Sequence, residues 1–204
     1  MKNIRNKATS DNSGHTAMLR YAQIRHSRTS HVRKTLYGST VKVCIDKMSV
    51  KILIEKALKE LIRRDIGLIR RKVKEECINH RLACYLERFL SEYGGEYSVD
   101  LEYDKNYNDP KKIGNDENKN IKAIRSDIII HKRENNDNNL IAFEIKKNYT
   151  DKHDLKKIKE LFRNPYNYKY GCLISYLPTR KYIKVKLLSN QGKNVEEFKV
   201  NKNE

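Results

Sequence analysis

Two carboxylates and a lysine sit where they can hold a cation and steady charge on a phosphate. Asp127 lies in the run Arg125-Ser-Asp-Ile-Ile-Ile-His-Lys-Arg133, and Glu144 and Lys146 lie in Leu140-Ile-Ala-Phe-Glu-Ile-Lys-Lys147. Each run is apolar, short and bounded by charge, which predicts a β-strand. Between them Glu134-Asn-Asn-Asp-Asn-Asn139 has no apolar residue and strong turn preference, so the two strands read as a hairpin. Side chains alternate across a strand, which puts Glu144 and Lys146 on one face and Phe143 and Ile145 on the other. Asp127 shares its face with Ile129 and His131. Two crowded carboxylates repel unless a cation lies between them, and hard oxygen ligands suit magnesium. The lysine can orient a water or counter charge developing on a phosphate.

Other elements must carry this hairpin. Over 47–74, Val50, Ile54, Leu58 and Leu61 recur at helical steps, with Ser49 as the expected N-cap and Gly67 as a break. Over 70–92, Ile78, Leu82, Leu86 and Phe89 form an apolar line widened by Cys77, Tyr85 and Leu90. Extending it backwards places Glu75 on the core side, with Glu76 about a hundred degrees round the helix. Gly94-Gly95 ends that helix, and 97–103 alternates as a strand whose Asp100 and Glu102 either approach the cation or face water. Residues 104–120 read as a long loop. Thr150 or Asp151 caps a helix reaching Phe162, whose other face carries Lys152, Lys156, Lys157 and Lys159. Strands follow at 171–177, 182–188 and 195–200, and the tail from Asn201 is expected to fray. The helix between the third and fourth strands suits a crossover connection.

Ser126-Asp127, a spacer, and Glu144-Ile145-Lys146 together resemble the PD-(D/E)xK motif of the restriction-endonuclease-like nucleases. Ser126 stands where that family usually has proline, a position that shapes the start of the strand rather than ligating metal. The stretch Glu75-Glu76-Cys77-Ile78-Asn79-His80-Arg81-Leu82-Ala83 is similar to a helix of bacterial members that brings a glutamate to the metal.

The resemblance implies an α/β fold with an αβββαβ core, a mixed central sheet flanked by helices, and a basic N-terminal extension. It implies metal-dependent cleavage of phosphodiester bonds, with DNA the expected substrate. Asp127, Glu144 and Lys146 would be catalytic. Asp127 and Glu144 would hold Mg2+, or Mn2+ in its place, aided by Glu75 with Glu76 as the alternative. Lys147, Lys152, Lys156, Lys157 and His80 are the expected nucleic-acid contacts. The expected division is 1–45 a poorly ordered extension, 46–69 a helical extension and 70–200 the nuclease-like domain. A non-catalytic nucleic-acid-binding module, or a structural subunit of a defence complex, is the alternative on the same fold.

Composition agrees with a polyanionic partner. Of the +18 net charge, residues 1–74 contribute 19 Lys and Arg less 5 Asp and Glu, or +14, leaving 18 − 14 = +4 for the rest. The basic excess therefore lies mostly outside the expected catalytic core, where Arg20, Arg25, Arg28, Arg33 and Lys34 suit a phosphate-contacting arm. The four cysteines, at 44, 77, 84 and 172, show no CxxC spacing and read as free thiols, with Cys77 and Cys84 small buried side chains of the helix. No apolar stretch reaches membrane-spanning length, so a cytoplasmic protein with no membrane partner is expected, with a homodimer or a complex as the candidate assemblies. No Walker loop, HExxH or serine-nucleophile motif occurs.

Overall fold

The computed structural model describes residues 45–93, 97–106, 109–113, 122–133 and 136–203. The expected basic arm, Gly94-Gly95 and most of the 104–120 segment lie outside the described residues.

Helix α1 (Lys47–Arg70) is capped by Asp46, whose side chain accepts from the Ser49 backbone N–H at 2.8 Å. The cap is thus three residues ahead of the expected Ser49. Nor does Gly67 break the helix, which deviates instead at Asp65 (φ −127°, ψ 16°) and continues to Arg70. Asp65 is held from the neighbouring helix by Arg81 Nε at 3.0 Å and by the Tyr85 hydroxyl. Tertiary hydrogen bonding sets the distortion here, and the modest propensity cost of a helical glycine is absorbed.

Helix α2 (Glu75–Leu90) starts five residues later than expected, because Arg71–Lys74 turn the chain, with Lys72 at φ +55°. It buries Ile78, Leu82 and Leu86 together with Asn79, Ala83, Tyr85 and Leu90. Cys77 is exposed and Cys84 half-buried, correcting the expectation of two buried thiols. The first turn carries Cys77 one residue round from the line of Ile78, out to water.

Strand β1 (Ser98–Tyr103) is followed by two short ladders: β2 (Lys105–Asn106) with β3 (Asp109–Pro110), and β4 (Lys112–Ile113) with β5 (Lys122–Ala123). The segment expected as plain loop is therefore partly laddered. Lys111 between these ladders is buried, its ammonium 3.0 Å from the Tyr168 hydroxyl and lying over the Tyr103 and Tyr168 rings.

Strands β6 (Ser126–His131) and β7 (Ile141–Lys146) form the expected hairpin. Helix α3 (Lys152–Leu161) crosses over to β8 (Tyr170–Ser175), which runs parallel to β7. Strands β9 (Tyr182–Ser189) and β10 (Asn194–Asn201) complete a six-stranded mixed sheet in the order β1-β6-β7-β8-β9-β10. The near-continuous apolar runs of β6 and β7 follow from cover on both faces. Ile128, Ile130, Phe143 and Ile145 pack in the core with α1 and α2, whereas Ile129, Ala142 and Leu173 pack with Ile158 and Leu161 of α3 and with Phe162 at its C-cap. The protein is α/β with helices on both sheet faces, and α1 shares the α2 core.

The chain end is better held than expected. Lys202 is buried, its ammonium donating to the Leu177 carbonyl at 2.6 Å and the Arg180 carbonyl at 3.1 Å.

Candidate active site

The β6–β7 ladder pairs Ile128 with Phe143 and Ile129 with Ala142, so one step further Asp127 faces Glu144 across the hairpin. Both belong to the α3 side of the sheet, the side of Ile129 and Ala142. On the outer neighbour, Leu101 pairs with Ile128 and Tyr103 with Ser126, which leaves Glu102 (φ +51°) beside Asp127. Glu102 ion-pairs with Arg125, and Asp100 is engaged by Arg133 at 2.6 Å and His131 at 2.8 Å.

Asp127 accepts from the Ile145 backbone N–H at 2.6 Å, which fixes its carboxylate against the strand that carries Glu144. Burial raises its pKa, against the pull of that hydrogen bond and of Lys157 and Lys146. Glu144 is 1% exposed. Lys157, reaching in from α3, sets its ammonium 2.7 Å from Glu144 Oε1 and also donates to the Arg125 carbonyl. Oε1 is thus a buried carboxylate oxygen whose one close cation among the described residues is Lys157. Burial lifts the Glu144 pKa to about 8, with Lys157 opposing and Asp127 reinforcing the rise.

Lys146 is 41% exposed, with its ammonium 4.0 Å from Asp154 Oδ1. Partial burial works to lower its pKa, but Asp127, Asp154, Glu75 and Glu144 together outweigh it and hold the lysine charged. Asp154 is buried at the N3 position of α3, where it completes a capping box with Asp151. Asp151 is thus the cap that the sequence left open between it and Thr150.

Glu75 reaches the same corner from α2: its Oε1 accepts from the Lys147 backbone N–H at 2.7 Å, at the end of β7. Glu76 is exposed, as the helical phase of the two residues requires. Behind them lies Tyr176, fully buried and donating to Asn79 Oδ1 at 2.9 Å. Its pKa is pushed well up by burial, then by Asp127 and Glu75.

The expected nucleic-acid contacts divide. Lys152 and Lys156 stand exposed on α3, and Lys147 reaches back to the Lys72 carbonyl at 3.4 Å. His80 is exposed one turn beyond Glu76, its ring nitrogen 3.8 Å from Cys84 Sγ. Lys157, at 15% exposure, points inward onto Glu144 rather than outward. Its role and that of Asp154 are what sequence reasoning missed. The available signal was phase: 157 follows 154 by three residues on the core side of α3.

Among the described residues, no group of three or more His, Cys, Asp and Glu side chains is gathered closely enough to hold a metal ion. The donors are nonetheless of the right chemistry for magnesium, which uses one or two carboxylates and completes its shell with water and phosphate oxygens. At Glu144, beside Asp127, the positive charge within reach is the Lys157 ammonium, 2.7 Å from Oε1.

Comparison of the chain with family models, with curated proteins and with solved structures finds no match. No helix among the described residues is long and apolar enough to cross a membrane.

Proposed function

We propose that the protein is a metal-dependent nuclease that hydrolyses phosphodiester bonds, with DNA as its substrate. The observation that carries this reading is the facing pair Asp127 and Glu144, the latter buried, with Lys146 beside it. The antiparallel β1-β6-β7 order, followed by a crossover to a parallel β8, supports it, since that is the arrangement the PD-(D/E)xK resemblance implies.

Asp127 and Glu144 would hold Mg2+ or Mn2+, with Glu75 at the margin. The bound ion would polarise a phosphodiester oxygen and make its water more acidic. Lys146, kept cationic by four carboxylates, positions the attacking water and offsets negative charge gathering on the phosphate. The water oxygen bonds to phosphorus, the bond from phosphorus to the leaving sugar oxygen breaks, and that oxygen takes up a proton. The same reading expects the protein to act in the cytoplasm in restriction, defence or DNA processing, as a homodimer or in a complex.

The deciding experiment is cleavage of plasmid, duplex and single-stranded DNA with Mg2+ or Mn2+, with and without chelator, beside Asp127→Asn and Lys146→Ala. Metal-dependent cutting lost in both variants supports the reading. Salt-sensitive binding without cutting, unaffected by chelator, would move the protein to the second reading, a non-catalytic nucleic-acid-binding module. One observation favours that alternative: Lys157 already neutralises Glu144 without a metal.

A further inference from the structure

Helix α3 carries a feature that the site does not use. Lys152, Lys156 and Lys159 follow one another by four and three residues, so they fall in a single narrow stripe, and Arg163 follows just past the helix end. All four are exposed, and the stripe lies opposite the side that buries Asp154, Ile158 and Leu161. From Lys152 to Lys159 the stripe is about 10 Å long, and Arg163 prolongs it, enough to lie along several phosphates. Its first end lies on the outer face of the turn whose inner face carries Asp154, 4.0 Å from Lys146, so a strand following it reaches the candidate site by rounding the helix N-terminus.

Its far end opens on a cleft. There the turn between β9 and β10 folds back onto α3, with Asn190, Gln191 and Gly192 all at positive φ. A Cβ on Gly192 would meet Lys159 Cγ at 3.1 Å, so the turn is seated against the helix. Between them lies a cavity of about 820 Å³ that Lys159, Arg163 and Lys193 line, and a second of about 520 Å³ reaches Lys169. Among the described residues, no carboxylate lines either cavity. Arg163 is partly answered by Glu160 at 2.9 Å, an exposed pair within the helix that contributes little.

We propose that this stripe and cleft form a nucleic-acid rail, a sequence-independent phosphate-binding surface that leads a DNA strand along α3 to the candidate site. The inference rests on the nucleic-acid part of the reading above and adds its path. Amide side chains of Asn164, Asn167 and Gln191 in the cleft suit hydrogen bonds to phosphate and sugar oxygens, which position a strand without reading its bases.

The test uses the full chain carrying Asp127→Asn, so that substrate survives, and fluorescein-labelled duplex DNA and its single strand as probes. Anisotropy gives affinity as salt is raised. Reversing Lys159→Glu and Lys193→Glu is expected to weaken binding by about tenfold or more and to lower the salt slope by about two. A matched reversal across the sheet on α1, Lys59→Glu with Arg63→Glu, is expected to change affinity by no more than about twofold. Equal losses in both variants, or no loss in the rail variant, overturn the proposal. Absence of binding by the parent also overturns it. The cleavage assay is read separately: correct binding with no cutting leaves the rail standing and removes the nuclease.

Discussion

The protein holds the same chemical pair, a lysine against a glutamate, in two settings with opposite outcomes. At the surface Glu196 meets Lys47 and Lys51, each at 2.8 Å, and their hydrogen bonds pull its pKa down to about 2. In the interior Glu144 meets Lys157 at 2.7 Å, yet its pKa rises to about 8. The separations are alike, so distance does not decide. Glu196 keeps its water, whereas Glu144 has lost it and has Asp127 as a neighbour, and one lysine does not replace both losses. A surface pair is an ordinary solvated contact. A buried carboxylate whose pKa stays raised beside a lysine is the kind of perturbed group that clusters at functional sites.

The largest test of that contrast is activity. Glu144→Gln keeps the shape and removes the charge, and is expected to lower cleavage by about 10³–10⁴-fold, on the order of 4–5 kcal/mol of barrier. Glu196→Gln should leave the rate within about twofold. Comparable losses would mean that the interior pair has no special place in the chemistry.

Stability gives the next effect. Removing one partner of a buried pair strands the other, so Lys157→Met is expected to cost about 3–5 kcal/mol in denaturant unfolding above the Glu144 pKa, and less below it where Glu144 takes a proton. Lys47→Met should cost about 0–1 kcal/mol at either pH. A loss for Lys157→Met independent of pH would point to packing of the lysine stem rather than to charge.

The seating of α3 can be disturbed without touching a charge. A Cβ at Gly171 would lie 2.2 Å from Ile158 Cγ2, so Gly171→Ala must push the helix away from β8. The expected cost is about 1–3 kcal/mol by unfolding, with cleavage reduced because Lys157 moves with the helix. Unchanged stability would show that α3 is held less tightly than the packing implies.

The smallest effect is the shape of stability against pH. The folded pKa of Glu144 is raised from 4.5 to about 8, so its contribution is full below the unfolded value and is lost as pH rises through the folded one. Glu196 is lowered from 4.5 to about 2, so its contribution is present above 4.5 and lost as pH falls towards 2. Glu144→Gln should flatten the alkaline side of the profile and Glu196→Gln the acidic side. The reverse assignment would break the comparison.

Much of this arrangement is visible in residue order, because it depends on local periodicity. Strand alternation alone placed Glu144 and Lys146 on one face and Asp127 with Ile129 and His131, the ladder register then brought the two together, and helical phase alone preferred Glu75 to Glu76. The same local rules misplaced the α1 cap and the α2 start, where Asp46 and the turn at Lys72 compete with equally plausible signals. Cys77 was assigned inward because a single residue of phase separates buried from exposed on a helix.

What sequence by itself determined is therefore the α/β class, the hairpin and the identity of its polar face, since each follows from a period of two or of 3.6 along the chain. Only the tertiary structure decided which charges meet. The crossover of α3 brought Lys157 onto Glu144 and Asp154 towards Lys146, and the packing of α2 carried Glu75 to the end of β7. It also buried Lys111 among tyrosines and Lys202 against carbonyls, choices that no local pattern announces. The reason is physical: a carboxylate's pKa and partners depend on the water it loses and on charges brought from distant residues, and both are properties of the packed fold.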